Sequence, residues 1–313
     1  MHTTKLAAVV LPCENLDETL DFFLNELMFR IDVIYPADSP SVAEISGHGL
    51  HLRLERGAKS DPGTLRLSPK ASLAVAAGVE EIVAPNGTRI QFFNAYPPAH
   101  TPSSKATFVH TKADNPAVWN VGRAGMRYRD LIPGRQDGRI IASHIQIPYG
   151  GPVPDYVHYH HVTFQMIYCY KGWVKLVYED QGEPFVLHEG DCVLQPPEIR
   201  HRVLENSPGL EVIEVGCPAE HATCADHNLT LPTGTVQEDR RFQGQTFVRH
   251  VAAEANWLPW KSEGYEVRDT GIQKATEGVA TALVVRGRKG MTASLTNHEA
   301  ELAFYFVLQG EAE

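Results

Sequence analysis

The chain of 313 residues contains few cysteines, and their number and spacing exclude one way of holding a fold together. The five cysteines are an odd number, and none of them lies in a Cys-x-x-Cys pair. This pattern argues against a disulfide framework and predicts reduced thiols in a cytoplasmic protein.

Long hydrophobic runs and an excess of positive charge are also missing. No stretch approaches the length of a membrane span, and the opening MHTTKLAAVVLPCENLDE turns acidic too soon for a signal peptide. The net charge is −10 with both signs interspersed, which argues against nucleic acid or an anionic membrane as the main partner. An apolar fraction of 43% is ordinary and allows a packed core.

The densest group of chemically active side chains is His158-Tyr159-His160, followed by Gln165 and, further along, His201. Successive side chains of a β-strand point to opposite faces, so His158 and His160 share a face. Three neutral imidazoles that converge suit a divalent zinc, copper, iron or nickel ion. Metal binding is therefore the first functional hypothesis.

These residues resemble the two sequence motifs of the cupin superfamily. The first motif is His-x-His, then Glu, then Gly, and here Gln165 and Gly172 follow the histidine pair. The second motif is Gly, Pro, Gly, His and Asn, and the matching positions are Gly190, Pro196, Glu198, His201 and Glu205. Three positions depart from the family pattern: Gln165, Glu198 and Glu205. The resemblance covers the middle third of the chain and implies a jelly-roll (double-stranded β-helix) barrel with His158, His160, Gln165 and His201 as metal ligands.

Gln165 bears on the expected chemistry. A Glu ligand would cancel one charge of a divalent ion, whereas a neutral amide leaves both charges and favours an anionic substrate. No carboxylate is expected beside the three imidazoles. Gln165, as fourth or outer ligand, and Tyr156, which shares the strand face of His158, are the predicted catalytic residues. The alternative for Tyr156 is a tyrosine that caps the barrel, and Cys169 is expected to be an inert buried thiol.

Residues 1–97 are predicted to form a separate α+β domain. Leu6–Leu11 suits a buried strand, Asn15 can cap a helix with Glu18 as its partner, and Asn86-Gly87 predicts a hairpin turn. The apolar helix face is Leu16, Leu20, Phe23 and Leu27, and strands are expected at Arg30–Tyr35, Val42–Ile45 and Leu50–Leu54. This β-α-β-β-β order resembles the vicinal-oxygen-chelate (glyoxalase-like) superfamily. The first strand lacks that family's usual metal-binding His, so we expect a pocket or an assembly surface there.

The rest of the chain divides into three predicted segments. Residues 98–120 are rich in Pro, Ser, Thr and Ala, which is typical of a linker. Residues 121–226 contain many short strand patterns and form the predicted metal-binding cupin barrel. Residues 227–313 are predicted to be a partial second cupin unit, with Thr296 and His298 at its His-x-His positions and no second motif. Truncation of a longer chain is the preferred explanation, and strands supplied by a partner subunit are the alternative.

Together these features predict a mostly β, metal-dependent cupin enzyme. We expect a dioxygenase-type oxidoreductase with one divalent transition metal, iron in preference to zinc, nickel or manganese. Its substrate would be small, anionic, and enolisable or aromatic. A non-redox metal-dependent isomerase or cyclase is the second hypothesis, and a non-catalytic ligand-binding cupin is the third. An exposed barrel edge is compatible with a homodimer.

Overall fold

The computed structural model describes residues 7–68, 80–93, 102–103, 107–112, 119–122, 125–287, 290 and 297–311. Contacts between Cα atoms divide the chain into two compact units, residues 1–97 and 98–313. The secondary structure is mostly β, as the sequence predicts. Within the described ranges, no helix is both long and apolar enough to cross a membrane.

The first unit opens with the predicted β-α-β-β-β order. Its elements are β1 (Val9–Cys13), α1 (Leu16–Asn25), β2 (Arg30–Tyr35), β3 (Val42–Gly47) and β4 (Leu50–Arg56). The strands lie in the order β1-β4-β3-β2, and β1 is parallel to β4. A second sheet consists of β5 (Thr64–Leu67), β6 (Glu81–Val83) and β7 (Arg89–Phe92) in the order β5-β7-β6. Membership of the glyoxalase-like family stays a prediction.

Local interactions explain why these elements form where they were expected. Asn15 Oδ1 accepts a hydrogen bond from the Glu18 backbone N–H at 3.3 Å, which caps α1. The predicted apolar face of the helix, formed by Leu16, Leu20, Phe23 and Leu27, is buried. It shares one hydrophobic core with residues of both sheets. At the predicted hairpin, Gly87 has a φ of +87° and its N–H donates to Ala84 O. Leu6, the expected start of the first strand, lies outside the described residues.

The other strands belong to the second unit. They are β8 (Asn120–Val121), β9 (Arg127–Asp130), β10 (Ile141–Ile147), β11 (Gly151–Pro152), β12 (His158–His160), β13 (Phe164–Lys171), β14 (Trp173–Tyr178), β15 (Phe185–His188), β16 (Cys192–Leu194), β17 (His201–Asn206), β18 (Leu210–Cys217), β19 (Thr223–Ala225), β20 (Arg241–Phe242), β21 (Gln245–Thr246), β22 (Val248–His250), β23 (Leu258–Pro259), β24 (Tyr265–Asp269) and β25 (Leu283–Gly287). Two four-residue helical segments lie at Arg135–Gly138 and Ile272–Ala275.

Two sheets build the body of this unit. One has the order β22-β16-β13-β18-β10-β9-β8, and the other has β15-β14-β17-β12-β19 with β11 beside β17. Cys169 and Val212 of the first sheet share a buried core with Leu176 and Leu187 of the second. In the described part of the chain, the sheets are joined by packed side chains and not by a closed ring of hydrogen-bonded strands. The predicted jelly-roll barrel is therefore seen as two packed sheets.

Residues after 226 partly complete the first of these sheets. Strand β22 pairs with β16, while β23, β24 and β25 form a small sheet of their own. Near the C-terminal end, Phe304 and Phe306 pack against the core cluster that contains Ala142. His298 is exposed, and Thr296 lies outside the described residues. The partial second cupin unit stays a prediction.

Candidate metal centre

Cross-strand register brings the three predicted histidines together. His158 lies opposite His201 in the β12–β17 pair, and Tyr178 lies opposite His201 in the β14–β17 pair. Ring centroids are 4.3 Å apart for His158 and His201, and 5.2 Å apart for His160 and each of the other two. One ring nitrogen from each of the three histidines lies within 4.8 Å of the others.

Two positions near His201 depart from the family motif, one in the loop before it and one on β17 after it. Glu198 stands at the motif's glycine position, yet its φ of +62° is in the left-handed region that glycine favours. A non-glycine residue costs about 1–2 kcal/mol there. At the motif's final position, Glu205 replaces Asn, and the buried amide belongs to the next residue, Asn206, which donates to Tyr149 O at 3.0 Å.

Hydrogen bonds fix which nitrogen of two rings carries the proton. A backbone carbonyl oxygen can only accept, so His158 and His201 must donate to it from Nδ1 and keep their lone pair on Nε2. Outer partners of this kind are typical of metal-ligating histidines. The contacts are His158 Nδ1 to Tyr156 O (2.8 Å), His201 Nδ1 to Ile199 O (3.0 Å) and His160 Nδ1 to Thr223 Oγ1 (3.0 Å). This donor set, with His158 and His201 buried, fits a divalent transition metal.

Two carboxylates lie in this region, Asp155 beside His158 and Glu214 beside Gln165. The prediction that no carboxylate lies beside the three imidazoles is therefore wrong. Asp155 Oδ1 is 3.6 Å from His158 Nδ1, and its Oδ2 accepts from the Val203 N–H at 2.9 Å. Glu214 Oε1 accepts from Gln165 Nε2 at 2.8 Å. Their negative charges offset part of the positive charge that a bound divalent ion brings.

Gln165 is buried on β13. It pairs with Gly216 of β18, and Glu214 lies opposite Ile167 on the same face, which explains the contact between Gln165 and Glu214. Since a carboxylate oxygen only accepts, this contact fixes the orientation of the Gln165 amide. A ligand role for Gln165 stays a prediction.

Tyr156 lies at the edge of the histidine group and is 40% exposed. Its ring centroid is 5.9 Å from that of His158 and 5.9 Å from that of His227. Another histidine that the sequence analysis did not name, His221, has its ring 5.5 Å from that of His160. The exposure of Tyr156 is compatible with contact to a substrate, and its catalytic role stays a prediction.

Two further buried residues that the sequence analysis did not name contact His201. Gln195 Nε2 lies 2.9 Å from His201 Nε2, and the Tyr178 ring stacks on the imidazole with centroids 5.4 Å apart. Gln195 Oε1 and the Tyr178 hydroxyl are buried and have no hydrogen-bond partner among the described residues. Burial raises the pKa of Tyr178, and Glu214 raises it further. Alternation along a strand could have placed the Tyr178 side chain on an inward face, but it does not predict the contact of either residue with His201.

Two residues near the three histidines, Cys169 and Arg200, have interactions that a structural role explains. Burial raises the pKa of Cys169 to about 12, so this side chain is an uncharged thiol at neutral pH, as expected. On the loop before His201, Arg200 lies 3.3 Å from Asp226 and 4.2 Å from the centroid of the Tyr159 ring.

The histidines of the first unit, His48 and His51, contact other protein groups and do not form a cluster with each other. His48 Nε2 lies 2.7 Å from Leu27 O, and His51 Nδ1 is 3.8 Å from Asp32. An open groove of about 400 Å³ is lined by Arg30 and His51, among others.

Over the ranges that the structure describes, His158, His160 and His201 are the one group of three or more His, Cys, Asp or Glu residues spaced to hold a metal ion.

Comparison with known proteins agrees with the predicted fold of this region. Residues 143–215 match the model of the cupin domain family, whereas no curated protein matches the chain. Among solved structures, an oxalate decarboxylase mutant from Bacillus subtilis is 13% identical over 56% of this chain and 57% of that chain, with a TM-score of 0.38. The polyketide cyclase RemF from Streptomyces resistomycificus is 19% identical over 40% of this chain and 89% of that chain, with a TM-score of 0.32.

An RmlC-like cupin from Shewanella frigidimarina is 23% identical over 36% of this chain and 94% of that chain, with a TM-score of 0.29. The match to the oxalate decarboxylase spans just over half the length of that protein. Residues 143–215 of this chain are therefore a cupin domain, and the three grouped histidines lie within it.

Proposed function

We propose that the second unit is a metal-dependent enzyme that binds one divalent transition metal through His158, His160 and His201. The observation that supports this proposal is the approach of three ring nitrogens to within 4.8 Å of one another. A metal–imidazole bond is about 2.0–2.1 Å long, so small ring rotations allow one ion to join all three. The Nδ1 contacts of His158 and His201 leave the Nε2 lone pairs for that role.

The first candidate reaction is an oxygenation of a small anionic substrate that is enolisable or aromatic, with iron as the metal. A bound divalent ion supplies Lewis-acid and redox chemistry to such a substrate. The protein's own contribution is to orient His158 through Asp155 and the Tyr156 carbonyl, and to leave coordination positions open for the substrate. The hydroxyl of Tyr156 is proposed to hydrogen-bond a substrate oxygen, and the exposure of this side chain supports the proposal.

One observation favours a second candidate, a non-redox isomerase or cyclase that uses the same metal. Such reactions need a side chain that takes and returns a proton. Glu214 provides a carboxylate that is held in one orientation by Gln165 on the neighbouring strand. A third candidate, a cupin that binds a ligand without turning it over, predicts neither dioxygen uptake nor product.

Elemental analysis of protein purified without added metal tests the metal site directly. We expect about one equivalent of transition metal per chain, and loss of that metal on changing His158 and His201 together to Ala. His161→Ala is the matched control, because His161 neighbours the group but contacts Cys224 Sγ, 3.7 Å from its Nε2. Metal content that survives the double change rejects the ligand set.

Dioxygen uptake separates the two enzymatic candidates. Iron-loaded protein is mixed with a panel of small enolisable and aromatic acids in an oxygen-electrode chamber. Uptake that requires both protein and one of the acids supports the oxygenase. Product formation without uptake, lost on changing Glu214 to Gln, supports the isomerase or cyclase.

The partners of the protein are part of the proposal. We propose a small-molecule substrate, no nucleic-acid or membrane partner, and a homodimer. The edge strand β2 supports the homodimer, because Ile31, Val33 and Tyr35 are exposed along it. Light scattering after gel filtration tests this point, and a monomer at micromolar concentration would reject it.

A further inference from the structure

We propose that Gln195 supplies a further protein ligand to the metal through its side-chain oxygen. This inference rests on the proposed metal site at His158, His160 and His201. It adds a buried amide to that site. Gln195 lies directly before the Pro-Pro pair and outside the residues that the cupin motifs single out.

The two glutamines project from neighbouring strands into the same interior. Met166 of β13 pairs with Leu194 of β16, and one step further the Gln195 N–H donates to Gln165 O at 2.9 Å. Residues directly opposite each other in an antiparallel pair share a face of the sheet. Gln165 is 2% exposed and Gln195 is 1% exposed, so neither amide relies on solvent for its hydrogen bonds.

Their hydrogen bonds differ in the way that matters for a metal. Gln165 Nε2 donates to the Glu214 carboxylate, so this amide is held through its nitrogen by a residue of the neighbouring strand. Gln195 Nε2 instead lies 2.9 Å from His201 Nε2. Since His201 Nδ1 donates to Ile199 O, its Nε2 must accept the hydrogen bond from Gln195. The Gln195 amide is therefore oriented by its hydrogen bond to the Nε2 lone pair of His201, the same lone pair that would bind a metal.

The other half of this amide lacks a partner. Gln195 Oε1 is fully buried and accepts no hydrogen bond from the part of the chain that the structure describes. Once His201 Nε2 ligates a metal, it can no longer accept from Gln195. About half a turn of the amide exchanges its oxygen and nitrogen, and this turn brings the unpaired oxygen to the side of the metal. Side-chain amide oxygens are neutral ligands for divalent cations.

Metal affinity tests the assignment without any assay of activity. Metal-free protein is titrated with Zn²⁺ in competition with a chromophoric chelator, for the natural chain, Gln195→Ala and Gln245→Ala. We expect Gln195→Ala to bind Zn²⁺ at least about 10-fold more weakly, since even outer partners of metal ligands contribute 10–100-fold to affinity. Gln245→Ala is the matched control and should change the affinity less than about 3-fold. Gln245 is also buried and its Oε1 also has no hydrogen-bond partner among the described residues, but its Nε2 donates to Thr163 O at 2.6 Å and not to a histidine.

The direction of the change distinguishes a ligand from a mere neighbour. If Gln195 only hydrogen-bonds His201, its removal frees the ring nitrogen, and Gln195→Ala then binds Zn²⁺ as tightly as the natural chain or more tightly. That result overturns the proposal. Gln195→Glu, which keeps the side-chain shape, provides the second test should Gln195→Ala fail to fold. A carboxylate ligand should tighten Zn²⁺ binding about 10-fold or more, and unchanged or weaker binding counts against the assignment.

The same titration of His201→Ala separates the two levels of inference. Loss of Zn²⁺ binding in His201→Ala together with unchanged binding in Gln195→Ala leaves the three-histidine site standing and rejects only Gln195. Unchanged binding in His201→Ala rejects the metal site itself. Absorption of the Co²⁺-loaded protein gives an independent readout, because loss of an oxygen ligand changes the intensity and position of its visible bands in Gln195→Ala.

Discussion

The hydroxyl of Tyr178 sits in the core next to His201, and replacing Tyr178 by Phe removes this hydroxyl while keeping the ring. The side chain is 1% exposed, and its ring packs between His201 and Phe247, with centroid distances of 5.4 and 4.6 Å. None of the described residues forms a hydrogen bond with the hydroxyl. The change therefore removes a buried, unpaired hydroxyl and leaves a cavity no larger than one oxygen atom.

The size of the effect follows from that lack of a partner. A buried polar group without a hydrogen bond costs about 1–3 kcal/mol. We expect the free energy of unfolding of Tyr178→Phe to rise by about that amount. For a unit of this size, about 1 kcal/mol shifts Tm by about 2–4 °C, so the second unit should melt about 2–12 °C higher.

Calorimetry and urea unfolding of metal-free protein measure this difference. Tyr168→Phe is the control, because its hydroxyl interacts with the buried side chain of Arg268, and loss of this interaction should lower the stability of the protein. If Tyr178→Phe instead lowers the free energy of unfolding by about 1 kcal/mol or more, the claim that the hydroxyl is unpaired is refuted. In that case the hydroxyl has a hydrogen-bond partner in solution, and Glu214, whose charge raises the pKa of Tyr178, is the candidate.

Three further predictions concern other parts of the chain. Asn15→Ala should cost about 1 kcal/mol of stability in the first unit by removing the cap of α1, and an unchanged urea midpoint contradicts this. Burial and then Arg268 lower the pKa of His250, so the unfolded chain takes up this proton near pH 6.5 and the folded chain only at lower pH. Stability should therefore fall as the pH drops below about 6.5, and His250→Asn should make the loss between pH 7.5 and 5.5 smaller; equal losses argue against it. Burial raises the pKa of Cys169 and of Cys192 to about 12, so both should resist a thiol reagent at pH 8 until urea is added, as mass spectrometry of the labelled peptides can check.

Features that depend on nearby residues could be predicted from the sequence. The start of α1 depends on Asn15 and Glu18, three residues apart, and the turn before β7 depends on Asn86 and Gly87. The pairing of His158 with His160 depends only on the alternation of side chains along a strand. The approach of His201 to this pair was predicted from the cupin motifs, and residues 143–215 are a cupin domain.

Features that depend on register between distant strands could not be predicted. Glu214 reaches Gln165 because β13 and β18 pair with Gln165 opposite Gly216, and no local pattern specifies that alignment. Gln195 reaches His201 across the short loop between β16 and β17, whose conformation the strand pattern does not specify. The motif comparison directed attention to Gln165, since it names positions along the chain and says nothing of the side chains that lie across from them.

The pairing of β22 with β16 has a practical consequence for shortening this protein. A chain cut at residue 226 would keep both motifs and all three grouped histidines. It would also remove the strand that covers β16, whose residues Cys192–Leu194 are completely buried, and leave their backbone groups as an open edge. Open apolar edges recruit other chains, so such a fragment should precipitate, and a soluble fragment needs an end point beyond His250.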